Sequence, residues 1–283
     1  MKRLRAIPLD ADLLREAELR VGEDEEELTA FVSAALRREL LAHPRGGPSA
    51  PPEVLRAHAE AYMQALLARD ARRARAVVEA AVASGVPIPD VYTDIFEPAL
   101  ADVGHRWAMG GMNAAEEHFA TATTQSLMAS LAPAGRVART GGRLAIVTSA
   151  PDELHLLGAQ MVSDLLEREG WEVLCLGAAT PAQDLVELVE LECPDLVAIS
   201  ASTAGRMPGV EQVVPRLAAL RPRPLIAVGG RLFDGSAAEI ARGLGADLVV
   251  SDIRALLTTL RERFPEPAAE PADPMWEGSA RRG

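Results

Sequence analysis

The sequence predicts an α/β protein: a doubly wound, five-stranded parallel sheet preceded by a four-helix bundle and a short N-terminal helical segment. Three observations predict it. Residues 142–263 alternate short apolar runs with helical stretches. Residues 53–134 read as helical throughout. A cluster of Pro and Gly at 44–52 separates both from the start of the chain. The expected organisation is an N-terminal segment (1–43), a linker (44–52), a helical bundle (53–138), a sheet domain (142–264) and a disordered tail (265–283) rich in Pro, Ala, Glu and Arg.

In the first segment, Leu4–Leu9 suggests a short strand, which Pro8 restricts to an edge. Asp12–Arg20 and Glu25–Leu41 read as helices. A strand followed by two helices faintly resembles a ribbon-helix-helix module, which would use Lys2, Arg3 and Arg5 on DNA. Residues 1–45 hold 8 basic and 10 acidic groups, a net −2 that favours an interaction or dimerisation segment over direct DNA binding.

The bundle is expected from four helices: Glu53–Arg69, Ala71–Ser84, Asp90–Met109 and Ala114–Leu131. Asp70 is placed to cap the second, and Gly85 and Gly110-Gly111 break the chain between helices. Val91, Ile95, Leu100, Val103 and Trp107 give the third an approximate apolar stripe. Short connections imply antiparallel neighbours.

The sheet is expected from Leu144–Val147, Glu172–Leu176, Leu196–Ile199, Leu225–Val228 and Leu248–Val250. Helices should fill His155–Glu169, Ala182–Glu190, Gly209–Leu220, Ala237–Leu244 and Ile253–Arg263. Continuous apolar strands between helices imply a parallel sheet covered on both faces. Such sheets bind ligands at the carboxyl ends of their strands.

Composition narrows the function classes. Hydrophobic residues make up 48% of 283 residues, enough for substantial cores. A net charge of −12 argues against a broad nucleic-acid surface. No apolar run reaches membrane-spanning length, and no signal peptide is visible, so a soluble cytoplasmic chain is expected. Cys175 and Cys193 form no metal-type pair and are expected in or beside strands as small apolar residues.

Three short elements fall at the predicted strand ends: Glu153-Leu-His155-Leu-Leu-Gly158, Ser200-Ala-Ser202 and Gly229-Gly230. They are separated by 41 and 26 residues. Imidazole is a good ligand for first-row transition metals. A ligating His usually donates its second N–H to a carboxylate, which Glu153 can supply. Alone, His155 would read as a helix start, Gly158 as a packing glycine and Gly229-Gly230 as a strand-end turn; their joint register favours a site.

This ordered set resembles the cobalamin-binding pattern D/E-x-H-x-x-G, S-x-L, G-G. The resemblance implies that His155 is the lower axial ligand of the cobalt of cobalamin, with Glu153 behind it. Glu stands where Asp is commoner and is longer by one methylene, which leaves open a water-bridged hydrogen bond to His155 beside a direct one. Gly158 would let the helix approach the ligand. Ser200 and Ser202 would line the slot for the nucleotide tail or bond to it, and Gly229 and Gly230 would clear side chains from its path. Ser202 departs from the usual apolar or Thr residue, a change expected to have little effect.

In the bundle, Trp107 is followed by nine residues and then Glu117-His118. This spacing resembles the CarH/LitR-type cobalamin photoreceptors, in which a four-helix bundle caps adenosylcobalamin. The resemblance covers roughly residues 53–262. It implies that Trp107 packs on the adenosyl group, Glu117 binds its ribose or the corrin edge, and His118 contacts the corrin periphery. Ala108 follows Trp107 where some light sensors carry a second His, so a stable bis-His light state is not expected. The N-terminus lacks an obvious winged helix, so output through a regulator protein partner is preferred.

The resulting expectation is a non-enzymatic sensory regulator that uses adenosylcobalamin, senses light, forms a homo-oligomer and affects transcription. A corrinoid carrier for a methyltransferase or mutase is the alternative. A sensor of another tetrapyrrole, with Ala108 leaving space in the cap, is a further one.

Overall fold

The computed structural model describes residues 50–131, 142–233 and 235–265, with six isolated positions between 15 and 32. Most of the expected N-terminal segment, residues 44–49 of the linker and residues 266–283 of the tail lie outside the described residues. The chain divides into two compact units, residues 1–134 and 135–283.

The first unit is helical: α1 (Pro52–Leu67), α2 (Ala71–Ala83), α3 (Ile88–Asp90), a π-helical stretch (Val91–Phe96), α4 (Glu97–Ala108) and α5 (Ala114–Leu131). Its ends follow local chemistry. Asp70 accepts the Arg73 N–H at 2.9 Å and caps α2. Asn113 and Glu116 exchange backbone-to-side-chain bonds of 3.0 Å each, a capping box at the start of α5. The expected third helix is interrupted by the π stretch just before Pro98. A proline ring clashes with the carbonyl four residues back and lacks the N–H that would bond to it, and widening of the preceding turn relieves both.

Tyr62, Leu66, Tyr92, Ile95 and Phe96 form the centre of this core. Tyr62 and Phe96 pack with ring centroids 5.0 Å apart. The buried Tyr62 hydroxyl bonds to Thr124 Oγ1 at 2.7 Å, which joins α1 to α5 without leaving a polar atom unsatisfied.

The second unit is a parallel sheet of β1 (Leu144–Ser149), β2 (Glu172–Gly177), β3 (Leu196–Ser200), β4 (Leu225–Gly229) and β5 (Leu248–Val250) in the order β2-β1-β3-β4-β5. Between and after the strands run α6 (Leu157–Arg168), α7 (Ala182–Glu192), α8 (Met207–Ala219), α9 (Ser236–Leu244) and α10 (Ile253–Arg263). Every residue of β1 is buried, as expected of a strand covered on both faces. Ile146, Val197, Ile199, Ile226 and Val228 meet Leu185, Val213 and Leu217 in the core. The register pairs Ser149 with Ser200 and Ser200 with Gly229, so three neighbouring strands end level with one another. That level edge positions the candidate site.

Both cysteines differ from expectation. Cys175 lies in edge strand β2 and Cys193 caps α7, but each is exposed rather than packed as a small apolar residue. An edge strand and a helix end leave one side uncovered. Among the described residues, no helix is long and apolar enough to cross a membrane.

Candidate functional site

The site in the second unit begins where β1 turns into α6. Asp152 adopts a left-handed φ of 65°, which reverses the chain after Pro151. Three bonds then fix the loop. The Glu153 N–H donates to Ala150 O at 2.9 Å, the Ala179 N–H donates to Glu153 O at 3.0 Å, and Ser149 Oγ donates to His155 O at 2.8 Å. His155 stands in this loop, before α6 rather than on it.

Glu153 is fully buried, and its two carboxylate oxygens accept four hydrogen bonds. Oε1 takes the His155 backbone N–H at 3.0 Å and the His155 Nδ1 at 2.6 Å. Oε2 takes the Ser202 backbone N–H at 2.9 Å and the Ser202 hydroxyl at 2.6 Å. Burial alone would raise this carboxyl's pKa. The His155 ring, the Ser202 hydroxyl and the two backbone N–H groups outweigh burial and hold it well below the usual carboxylate range. The carboxylate therefore stays ionised, and Nδ1 carries the proton in their shared bond.

One alternative is decided and one expectation is corrected here. The Glu153–His155 contact is direct at 2.6 Å, with no water needed to span it. Ser202 is not a minor departure: its hydroxyl and backbone supply half the donors on Glu153. Where an apolar residue would leave Oε2 one bond short, Ser202 completes it.

The His155 side chain is 64% exposed although its Nδ1 is tied to a buried group. Ligation would fall to Nε2, the other ring nitrogen. Leu154 beside it is 70% exposed, an apolar surface next to the imidazole. Gly158, in the first turn of α6, faces Ser200: a carbon added there would lie 3.0 Å from Ser200 Oγ. Ser200 O accepts the Ala150 N–H at 2.8 Å.

The glycine pair has an additional reason. Gly230 has φ 104°, and an added carbon would lie 2.4 Å from Ala201 O. At Gly229 it would lie 3.0 Å from Val250 O. Gly230 is therefore required by the chain's own backbone, and Gly229 is closely flanked by the neighbouring strand, whatever else passes them.

Sequence reasoning missed Ser149 and Arg206. The signal for Ser149 was the hydroxyl pair Thr148-Ser149 closing an otherwise apolar strand; both are fully buried. Arg206 places Nε 4.0 Å from Glu153 Oε1, in a 3₁₀ turn (Ala204–Arg206) that no sequence pattern indicated.

In the first unit, Trp107 lies in the last turn of α4 and is 52% exposed, so it is not a core residue of the bundle. Glu117 lies in the first turn of α5, where its Oε1 accepts the Thr121 hydroxyl at 2.8 Å. Its Oε2 lies 3.6 Å from Nε2 of His118, whose side chain is 79% exposed. Trp107 and Glu117-His118 thus flank the turn between α4 and α5.

Among the described residues, no group of three or more His, Cys, Asp or Glu side chains is arranged to hold a bare metal ion. One imidazole backed by a carboxylate instead suits a metal already held by a macrocycle, which needs a single protein ligand. The residues present therefore fit cobalamin.

Comparison with known proteins agrees with this chemistry. Two families, both described as B12 binding domain, match residues 143–257 and residues 58–132. The HTH-type transcriptional repressor CarH of Myxococcus xanthus is 30% identical over 180 residues, covering 62% of this chain and 59% of its own. The chain thus spans less than two thirds of that relative. An uncharacterised 20.5 kDa protein from the bchF-crtJ intergenic region of Rhodobacter capsulatus is 27% identical over 62% of this chain and 93% of its own. The fold is shared with the monomethylamine corrinoid protein of Methanosarcina barkeri, with TM-score 0.64 and 20% identity over 74% of this chain and 99% of that one. Residues 58–132 and residues 143–257 are thus each similar to a B12 binding domain.

Proposed function

We propose that this protein is a cobalamin-binding sensory regulator that uses adenosylcobalamin to sense light and changes its oligomeric or partner interactions in response. The observation that carries the reading is the Ser202–Glu153–His155 chain. Ser202 and the loop backbone hold Glu153 ionised, and Glu153 holds the imidazole with Nε2 as the ligating atom. Leu154 offers apolar surface beside the ligand, and Gly158 and Ser200 line the entrance to the tail slot. Bound adenosylcobalamin supplies a cobalt–carbon bond that light can cleave.

The bundle residues carry the sensing half of the proposal. Exposed Trp107 would stack on the adenosyl group, Glu117 would bind its ribose or the corrin edge, and His118 would touch the corrin periphery. On illumination Trp107 would lose its packing partner, and the populations of bundle conformations would shift. None of these residues is assigned catalytic turnover. Similarity to CarH supports transcriptional output.

The experiment is absorption spectroscopy and size-exclusion chromatography of protein reconstituted in darkness with adenosylcobalamin, before and after green light. The reading predicts a spectral change with altered elution. A bound corrinoid whose illumination leaves elution unchanged would contradict light sensing and favour a corrinoid carrier. A methyl-transfer assay with dark-purified protein would then test the carrier directly.

A further inference from the structure

The loop that brings Ser202 to Glu153 brings a cation as well. Arg206 closes the 3₁₀ turn Ala204–Arg206, where its backbone N–H donates to Thr203 O at 2.9 Å. Just beyond, Gly209 in the first turn of α8 packs on the loop that carries His155: a carbon added there would lie 2.6 Å from Pro151 O. Ser202 on one side and Gly209 on the other therefore hold the Arg206 turn against the His155 loop.

Arg206 Nε is buried and lies 4.0 Å from Glu153 Oε1, yet it has no hydrogen-bond partner among the described residues. That separation makes an ion pair and is too long for a hydrogen bond. Each Glu153 oxygen already accepts two bonds from His155 or Ser202, so the carboxylate is largely committed elsewhere. A buried donor left unpaired is costly and calls for a partner. The side chain is still 33% exposed, so its other atoms reach the mouth of the site. A guanidinium placed in this way suits an anion, and its planar fork matches the oxygens of a phosphate. Cobalamin carries one such group, the phosphodiester that joins its nucleotide tail to the corrin. Glu153 sharpens the need: a buried, ionised carboxylate repels a second anion brought near it, and a cation beside it offsets that repulsion.

We propose that Arg206 is a specificity-determining residue that binds the phosphodiester of the nucleotide tail, and so selects corrinoids that carry this phosphate over those that lack it. The inference rests on the cobalamin reading of the site and adds a residue to it. Arg206 serves two anions, the buried carboxylate of Glu153 and the incoming phosphodiester. A lysine would keep the charge and lose the fork, so it substitutes only in part.

Spectral titration of the full chain in darkness with three ligands tests it: adenosylcobalamin, adenosylcobinamide phosphate and adenosylcobinamide. The second keeps a phosphate but lacks the ribose and base of the tail, and the third lacks the phosphate too. Arg206→Met should weaken binding of the first two about tenfold or more and of the third by less than about twofold. Arg206→Lys should recover part of the loss. Phosphorus NMR gives a second readout: the resonance of bound adenosylcobalamin should be displaced from its free position in wild type and move back toward it in Arg206→Met. Far-UV circular dichroism of both variants separates these results from misfolding. Equal losses for all three ligands would make Arg206 a support of the Glu153 loop alone, and undiminished cobalamin binding would leave it no part in recognition; either overturns the proposal. A wild type that binds none of the three overturns the cofactor reading together with it.

Discussion

Glu153 is the residue on which the site chemistry converges. Its carboxylate accepts four hydrogen bonds while fully buried, so removing its charge weakens all of them. Glu153→Gln should lower corrinoid affinity about 10–100-fold, the range for residues that orient a metal ligand. Spectral titration checks this, and Glu153→Asp should recover part of the loss. In unliganded protein, Glu153→Gln should destabilise by about 1–3 kcal/mol at neutral pH. The pH dependence follows from a folded pKa depressed below the unfolded one. Between those two values the unfolded chain binds more protons, so stability falls as pH falls. The contribution is fully present above the ordinary value of about 4.5 and is progressively lost below it. Denaturation at pH 7 and pH 4 should therefore show the gap between wild type and Glu153→Gln narrowing at the lower pH. A gap of constant size would mean that the ionised carboxylate is not what stabilises the loop. Much of this was legible in the sequence: Glu153, His155 and Ser202 all stood in the motif. The role of Ser202 was not, because only the fold brings residue 202 to residue 153.

At the scale of elements, the two glycine positions separate folding from binding. Gly230→Ala meets both a left-handed φ of 104° and the Ala201 carbonyl, so it should destabilise the sheet domain by about 2–4 kcal/mol. Gly158→Ala lies in the first turn of α6, where its nearest neighbour is the rotatable Ser200 hydroxyl. Alanine also favours helix by about 1 kcal/mol over glycine. That variant should fold as well as wild type yet bind corrinoid more weakly; thermal unfolding and titration on the same sample distinguish the two. Strand positions were legible because each is a short apolar run closed by a turn, and all five appear within two residues of expectation. The π stretch at Val91–Phe96 was not legible, because the apolar stripe continues through it and only Pro98 hints at the altered backbone. The exposure of Cys175 was missed because composition does not reveal which strand lies at the edge.

For the whole molecule, the helical unit carries Trp107 and the sheet unit carries His155. Both match B12 binding domains, and each exposes the residue assigned to the cofactor. Trp107→Ala should keep cobalamin binding but lose preference for the adenosyl form. Equal affinities for adenosyl- and methylcobalamin, against a selective wild type, would support the cap role; unchanged selectivity would remove Trp107 from it. The central claim, however, rests on His155 as the ligand of cobalt, and one measurement reaches it most directly: the absorption spectrum of dark-reconstituted wild type beside His155→Ala. The account predicts a His-ligated corrinoid spectrum for wild type and, for the variant, weakened binding or a base-off spectrum. Identical spectra and affinities for the two proteins would contradict it.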